Sequence, residues 1–76
     1  MPPADQQQWI TDALRATGDR IRVRRLHENL TQESLAHQTG VDRSTIQRME
    51  AGKEMKLSHL LLVAHHLRVH VTDLLH

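Results

Sequence analysis

The stretch from Leu30 to Gly52, LTQESLAHQTGVDRSTIQRMEAG, constrains this chain more than any other. It holds two short amphipathic segments on either side of a glycine-centred turn. Thr31 is a good N-cap, Gln32 and Glu33 open a first helix, and Leu35 and Ala36 face inward. Thr39-Gly40 closes it, because glycine reaches the left-handed conformation that a C-terminal cap usually needs. Val41 is apolar in the turn, and Asp42 is a second N-cap, with Thr45 three residues on as a weak variant of the capping box. The second helix, Asp42 to about Glu50, buries Ile46 and Met49 and stops before Gly52. Arg43, Ser44, Gln47 and Arg48 are left on its outer face.

Two short helices, a tight turn and a polar, basic outer face on the second describe a helix-turn-helix. The chain here resembles the lambda-repressor-like DNA-binding domains (phage repressor and Cro, or XRE-type). The matching residues are Leu30-Thr31-Gln32-Glu33, Leu35-Ala36, Gly40-Val41, Arg43-Ser44-Thr45-Ile46 and the Glu50-Ala51-Gly52 ending. The resemblance extends upstream to Ile21 and Arg25 and downstream through Leu57 to Leu75. Each element alone is a weak signal; their order and spacing together are specific.

With 76 residues there is room for one domain and a small core. The absence of cysteine excludes disulfides and thiolate metal sites and suits a reducing cytoplasm, near the nucleoid if DNA is the partner. No apolar run is long enough to span a bilayer, and MPPADQQQ lacks the basic-then-apolar order of a signal peptide. Net charge is only +1, but its distribution is uneven. Arg15, Arg20, Arg22, Arg24 and Arg25 precede the motif, and Arg43, Arg48, Lys53 and Lys56 lie within or just after it. A locally basic face on a nearly neutral protein fits a DNA binder that relies on a few placed contacts.

Residues 1–4, with two prolines, read as a disordered arm. Residues 5–76 read as a single domain, in which 5–17 form an N-terminal helical extension. Asp5 and Gln8 form a candidate N-cap pair, and Ile10, Leu14, Thr17 and Ile21 repeat at helical spacing, resumed by Leu26 and Leu30. A helix from Asp5 to Glu28 follows, with a kink or break near Thr17-Gly18 as the alternative, since mid-helix glycine costs about 1 kcal/mol relative to alanine. Trp9, the only aromatic residue, is either an anchor holding the extension to the body or a dimer contact. After a loop at Lys53–Lys56, a fourth helix from about Leu57 to Leu67 carries Leu57, Leu60, Leu61, Ala64 and Leu67 on one face. Leu62 and Val63 widen that arc, and Leu62 is a second candidate for an oligomer surface. Arg68 stands where relatives often have glycine. A last short helix opens at His70 or Val71. The expected fold is thus all-α, a compact bundle of about five helices.

The resemblance implies that the second helix of the motif lies in the major groove. Arg43, Ser44, Gln47 and Arg48 are then the candidates for base readout, arginine suiting guanine and glutamine suiting adenine. Gln32, Thr31, Lys53, Lys56 and Arg24 are candidates for phosphate, Gln32 also bracing the recognition helix; Arg20 and Arg22 are either solvated or at phosphate. In this family an arginine at the position of Arg25 commonly pairs with a glutamate at that of Glu50, which implies a structural ion pair. The seven histidines, five of them in the C-terminal third, have no ligand spacing or cysteine partner that would define a metal site. Their protonation in mild acid would add positive charge and strengthen DNA binding. No catalytic constellation, cofactor motif or phosphate-binding glycine loop is present, so an enzyme is not expected. The expected function is a sequence-specific transcriptional regulator, a repressor by resemblance, binding double-stranded DNA at a palindromic operator as a homodimer. The alternative is an antitoxin or adaptor that uses the same fold to engage a protein partner.

Overall fold

The computed structural model describes residues 4–76, with side chains from Gln7 onward. Among the described residues every regular element is helical: α1 (Ala4–His27), α2 (Gln32–Thr39), α3 (Arg43–Glu50), α4 (Leu57–His66) and α5 (Val71–Leu75). The arm expected over residues 1–4 falls on residues 1–3 outside the described part, whereas Ala4 is already helical. Asp5 therefore lies inside α1 and not at its cap, and Gln8 donates to Asp12 Oδ1 at 2.9 Å.

Helix α1 is continuous through Gly18. The alternative of a break there does not occur, and the reason is packing. A Cβ at Gly18 would stand 2.5 Å from the carbonyl oxygen of Met49 and 2.8 Å from that of Glu50. The missing side chain lets the backbone of α1 lie directly on the C-terminal end of α3. Gly52 makes the reciprocal approach: it has φ +80, and a Cβ there would meet Arg15 Cα at 2.8 Å.

The core draws Ile21 from α1, Leu35 from α2, Val41 from the turn, Ile46 and Met49 from α3, and Leu74 from α5. Helix α4 contributes Leu60, Val63 and Ala64, and Leu67 follows it. This corrects the expected face of α4. Leu57 and Leu61 are exposed, while Val63 is wholly buried, because α4 turns its 60/63/64/67 stripe to α2 and α5. It also shortens the expected stripe of α1. Ile10 and Leu26 are exposed, and the inward positions are Thr17, Gly18, Ile21 and Arg25.

The links between helices obey local backbone chemistry. Asn29 ends α1 in the left-handed conformation (φ 58), which asparagine tolerates, and Leu30 N–H then reaches back to Arg25 O at 3.1 Å. Arg68 does the same after α4 with φ 62, its neighbour Val69 donating to Ala64 O at 3.1 Å. Helix α5 is capped at its start by Asp73, which accepts from His70 N–H at 3.0 Å.

Candidate nucleic-acid interface

The recognition element is α3, and seven of its eight residues divide into two sets, with Thr45 half-buried between them. Ile46, Met49 and Glu50 are buried, whereas Arg43, Ser44, Gln47 and Arg48 are exposed together. At 3.6 residues per turn the four exposed positions form one continuous face. Among the described residues, the only ion pair on that face is Arg43 Nη1 to Glu33 Oε1 at 3.8 Å, between two well-exposed side chains. Such a contact contributes little and leaves the guanidinium free to turn elsewhere.

The turn before α3 is built by Thr39, Gly40 and Val41. Thr39 is buried; its hydroxyl donates to Leu35 O at 2.8 Å and accepts from Val41 N–H at 3.1 Å. The side chain thereby satisfies the Val41 N–H that the turn would otherwise leave unpaired in the core, and it adds a second bond to a carbonyl in the last turn of α2. Gly40 takes φ 74 and donates to Ala36 O at 2.9 Å. Asp42 occupies the N-cap position of α3, but its side chain makes no capping bond, so the expected box with Thr45 does not form. Thr31, in contrast, caps α2 through Ser34 N–H at 3.0 Å.

Three helices are tied together at Glu50. Its carboxylate accepts from Arg25 Nε at 2.6 Å, from Arg25 Nη2 at 3.0 Å and from Gln32 Nε2 at 3.1 Å. Arg25 Nη1 donates onward to Leu30 O at 2.8 Å. The two charged side chains are 10% and 4% exposed, so this bidentate pair sits in the interior and is geometrically well satisfied. Its hydrogen bonds to Glu50 raise the Arg25 pKa above the ordinary guanidinium value; burial opposes this, and the Glu50 charge adds to the rise. A group whose folded-state pKa is raised keeps its full contribution below the unfolded value. It loses that contribution only as pH climbs through the folded one. For Arg25 that window lies beyond the range of any ordinary buffer.

Gln32, at the first position of α2, spends one amide N–H on Glu50 and keeps its other N–H. Lys53 and Lys56 are exposed in the segment between α3 and α4, where Lys53 N–H closes back on Arg48 O at 3.0 Å. Arg24 is placed differently from expectation. It is half-buried, donating through Nε to Leu67 O at 3.2 Å and pairing with Glu28 at 3.4 Å. Its guanidinium is thus committed to the end of α4 and not to the outer face of the motif. Arg20 behaves alike, donating to Leu74 O at 3.4 Å. Both arginines donate to carbonyls at helix C-termini, where cations are favoured. Sequence reasoning missed this role because nothing local in the sequence says which remote carbonyl a long side chain reaches. Trp9 and Leu62 are exposed, at 65% and 40%; Trp9 is therefore not an anchor onto the body. Among the described residues, no group of three or more histidine or acidic side chains converges on one point.

An exposed polar α3 face, a rigid turn before it and a buried pair behind it define a helix-turn-helix DNA-binding module. The helix-turn-helix family profile matches residues 21–74, and the chain belongs to that family, of the XRE or lambda-repressor-like kind. It is a DNA-binding transcriptional regulator. Among solved structures it is similar to the restriction-modification controller protein C.AhdI from Aeromonas hydrophila. The two share 34% sequence identity with a TM-score of 0.76, over 80% of this chain and 94% of that one. Curated protein sequences contain no match to the chain. The family is one of regulatory DNA-binding proteins. No described helix is long and apolar enough to cross a membrane.

Proposed function

We propose that the chain represses transcription by binding an imperfect palindrome as a homodimer, with one α3 in each of two major-groove half-sites about one helical turn apart. The observation that carries this reading is the division of α3, with four exposed polar side chains over three buried ones. Arg43, Ser44 and Gln47 lie in its N-terminal part, the end that reaches base edges in this motif, and Arg48 is next along the same face. Phosphate contacts fall to Gln32 and Thr31 at the start of α2 and to Lys53 and Lys56 beyond α3. The likeness to a restriction-modification controller favours a role of that regulatory type, exerted at the nucleoid.

Selection from a pool of random duplexes at two salt concentrations tests the proposal. An enriched palindrome supports dimeric operator recognition and supplies the site. Weak binding that disappears at higher salt with no enriched sequence leaves backbone electrostatics alone. The exposed Trp9, Leu57, Leu61 and Leu62 would then favour the second reading, an antitoxin-like or adaptor module for a protein partner.

A further inference from the structure

Residues 7–13 of α1 have no place in the core. They are all exposed, and contact with the body begins at half-buried Leu14. A helical arm of this length is not self-sustaining in water, yet it carries the only aromatic side chain of the protein. Some 14 residues further along, the same helix walls an open apolar cleft of about 380 Å³ against α5. Asp19, Arg20, Val23, Arg24 and His27 form the α1 wall of that cleft, and Val69, Asp73 and Leu74 line its other side.

These two features share one face of α1. Trp9, Ala13, Ala16, Arg20, Val23 and His27 alternate at four- and three-residue steps, the spacing of a helix-pairing seam. The wall residues 20, 23, 24 and 27 have the i, i+3, i+4, i+7 arrangement of a hole that accepts one knob from a facing helix. We infer that this knob is Trp9 of a second copy of the chain, the two α1 helices crossing antiparallel near Ala16. The inference rests on the homodimer reading and names a face for it.

Three observations select a second copy as the occupant. An antiparallel crossing at Ala16 brings Trp9 opposite Val23 of the other copy, and by symmetry the reverse, so both indoles and both clefts are filled in one closed, isologous contact. The same register sets Asp12 opposite Arg20. Asp12 is exposed with its carboxylate held by Gln8, and Arg20 uses one N–H on Leu74 O, leaving the rest of its fork for a carboxylate. On the seam the crossing point carries Ala13 and Ala16, which lets the helices approach, and Asp12 and Asp19 flank it. The guanidiniums of Arg20 and Arg24 frame the cleft and offer planar faces to an indole. The α3 contacts, through Gly18 and Arg25, lie on the far side of α1, so the pairing leaves Arg43, Ser44, Gln47 and Arg48 uncovered.

The test uses the intact chain, whose single tryptophan makes its fluorescence a report on Trp9 alone. Emission should shift to the red on dilution, in step with the loss of assembly seen by sedimentation. Trp9→Ala and Val23→Glu, both at exposed positions, should keep the helical circular dichroism and each weaken self-association at least tenfold. Asp12→Arg should weaken it by a smaller factor. The pairing is overturned if Trp9 emission is that of a water-exposed indole at every concentration. It is equally overturned if both variants assemble like the parent. An undiminished dimer in both variants, still selecting a palindrome, would sink this face alone and leave the operator-binding reading standing. A parent chain that stays monomeric on DNA and off it would remove the homodimer as well.

Discussion

At Glu50 a single carboxylate holds Arg25 and Gln32 at once, and removing it leaves an interior guanidinium without its counter-charge. Glu50→Ala should cost about 3–5 kcal/mol, a large share of the roughly 5–15 kcal/mol that stabilises an ordinary domain. Chemical denaturation of the variant would measure this, and a loss below about 1 kcal/mol would contradict the description of the pair. Arg68 points the other way. A non-glycine residue at φ 62 carries left-handed strain of about 1–2 kcal/mol, partly offset in any glycine variant by greater freedom of the unfolded chain. Arg68→Gly is therefore expected to raise stability by up to about 1 kcal/mol, seen as a higher thermal midpoint.

Elements make their demands through backbone proximity, and Gly18 is where the demand is strongest. On an isolated helix, glycine to alanine would stabilise by about 1 kcal/mol. Here the added methyl would strike the Met49 and Glu50 carbonyls, so Gly18→Ala should instead destabilise by about 1–3 kcal/mol, by forcing α1 off α3. Equilibrium unfolding decides the sign. This residue also shows what was legible in the sequence and what was not. The motif, its turn and the inward Ile46 and Met49 follow from caps and periodicity, which are local. The family resemblance supplied the Arg25–Glu50 pair. Periodicity favours one helix through Gly18, as found, but it cannot decide against a kink there, because the reason lies in a carbonyl more than thirty positions away. The same holds for Arg24 and for the face of α4, where a nearly all-apolar helix offers several stripes and only its neighbours choose among them. Thr39 left a faint signal, a threonine just before the turn glycine, which marks a side chain able to bond its own backbone.

For the whole molecule the useful distinction is between contacts that read sequence and contacts that merely hold phosphate. Arg43→Ala is expected to reduce discrimination between the selected operator and random DNA by about 1–3 kcal/mol. Lys53→Ala should weaken both alike and make the salt dependence shallower by about one counterion. Titrations at several salt concentrations separate the two. Equal losses on both DNAs from Arg43→Ala would remove it from base readout.

The partition of α3 has a consequence for how such a protein can change. The side chains that hold the helix, Ile46, Met49 and Glu50, alternate along it with those that face outward, and the two sets share no position. A library randomised at Arg43, Ser44, Gln47 and Arg48, with proline and glycine left out because they break or weaken a helix, should consist almost wholly of folded proteins, each variant within about 0.5 kcal/mol per exposed substitution of the parent. New operators would then be reachable in single steps, with no stability deficit to be repaired before the next step is taken.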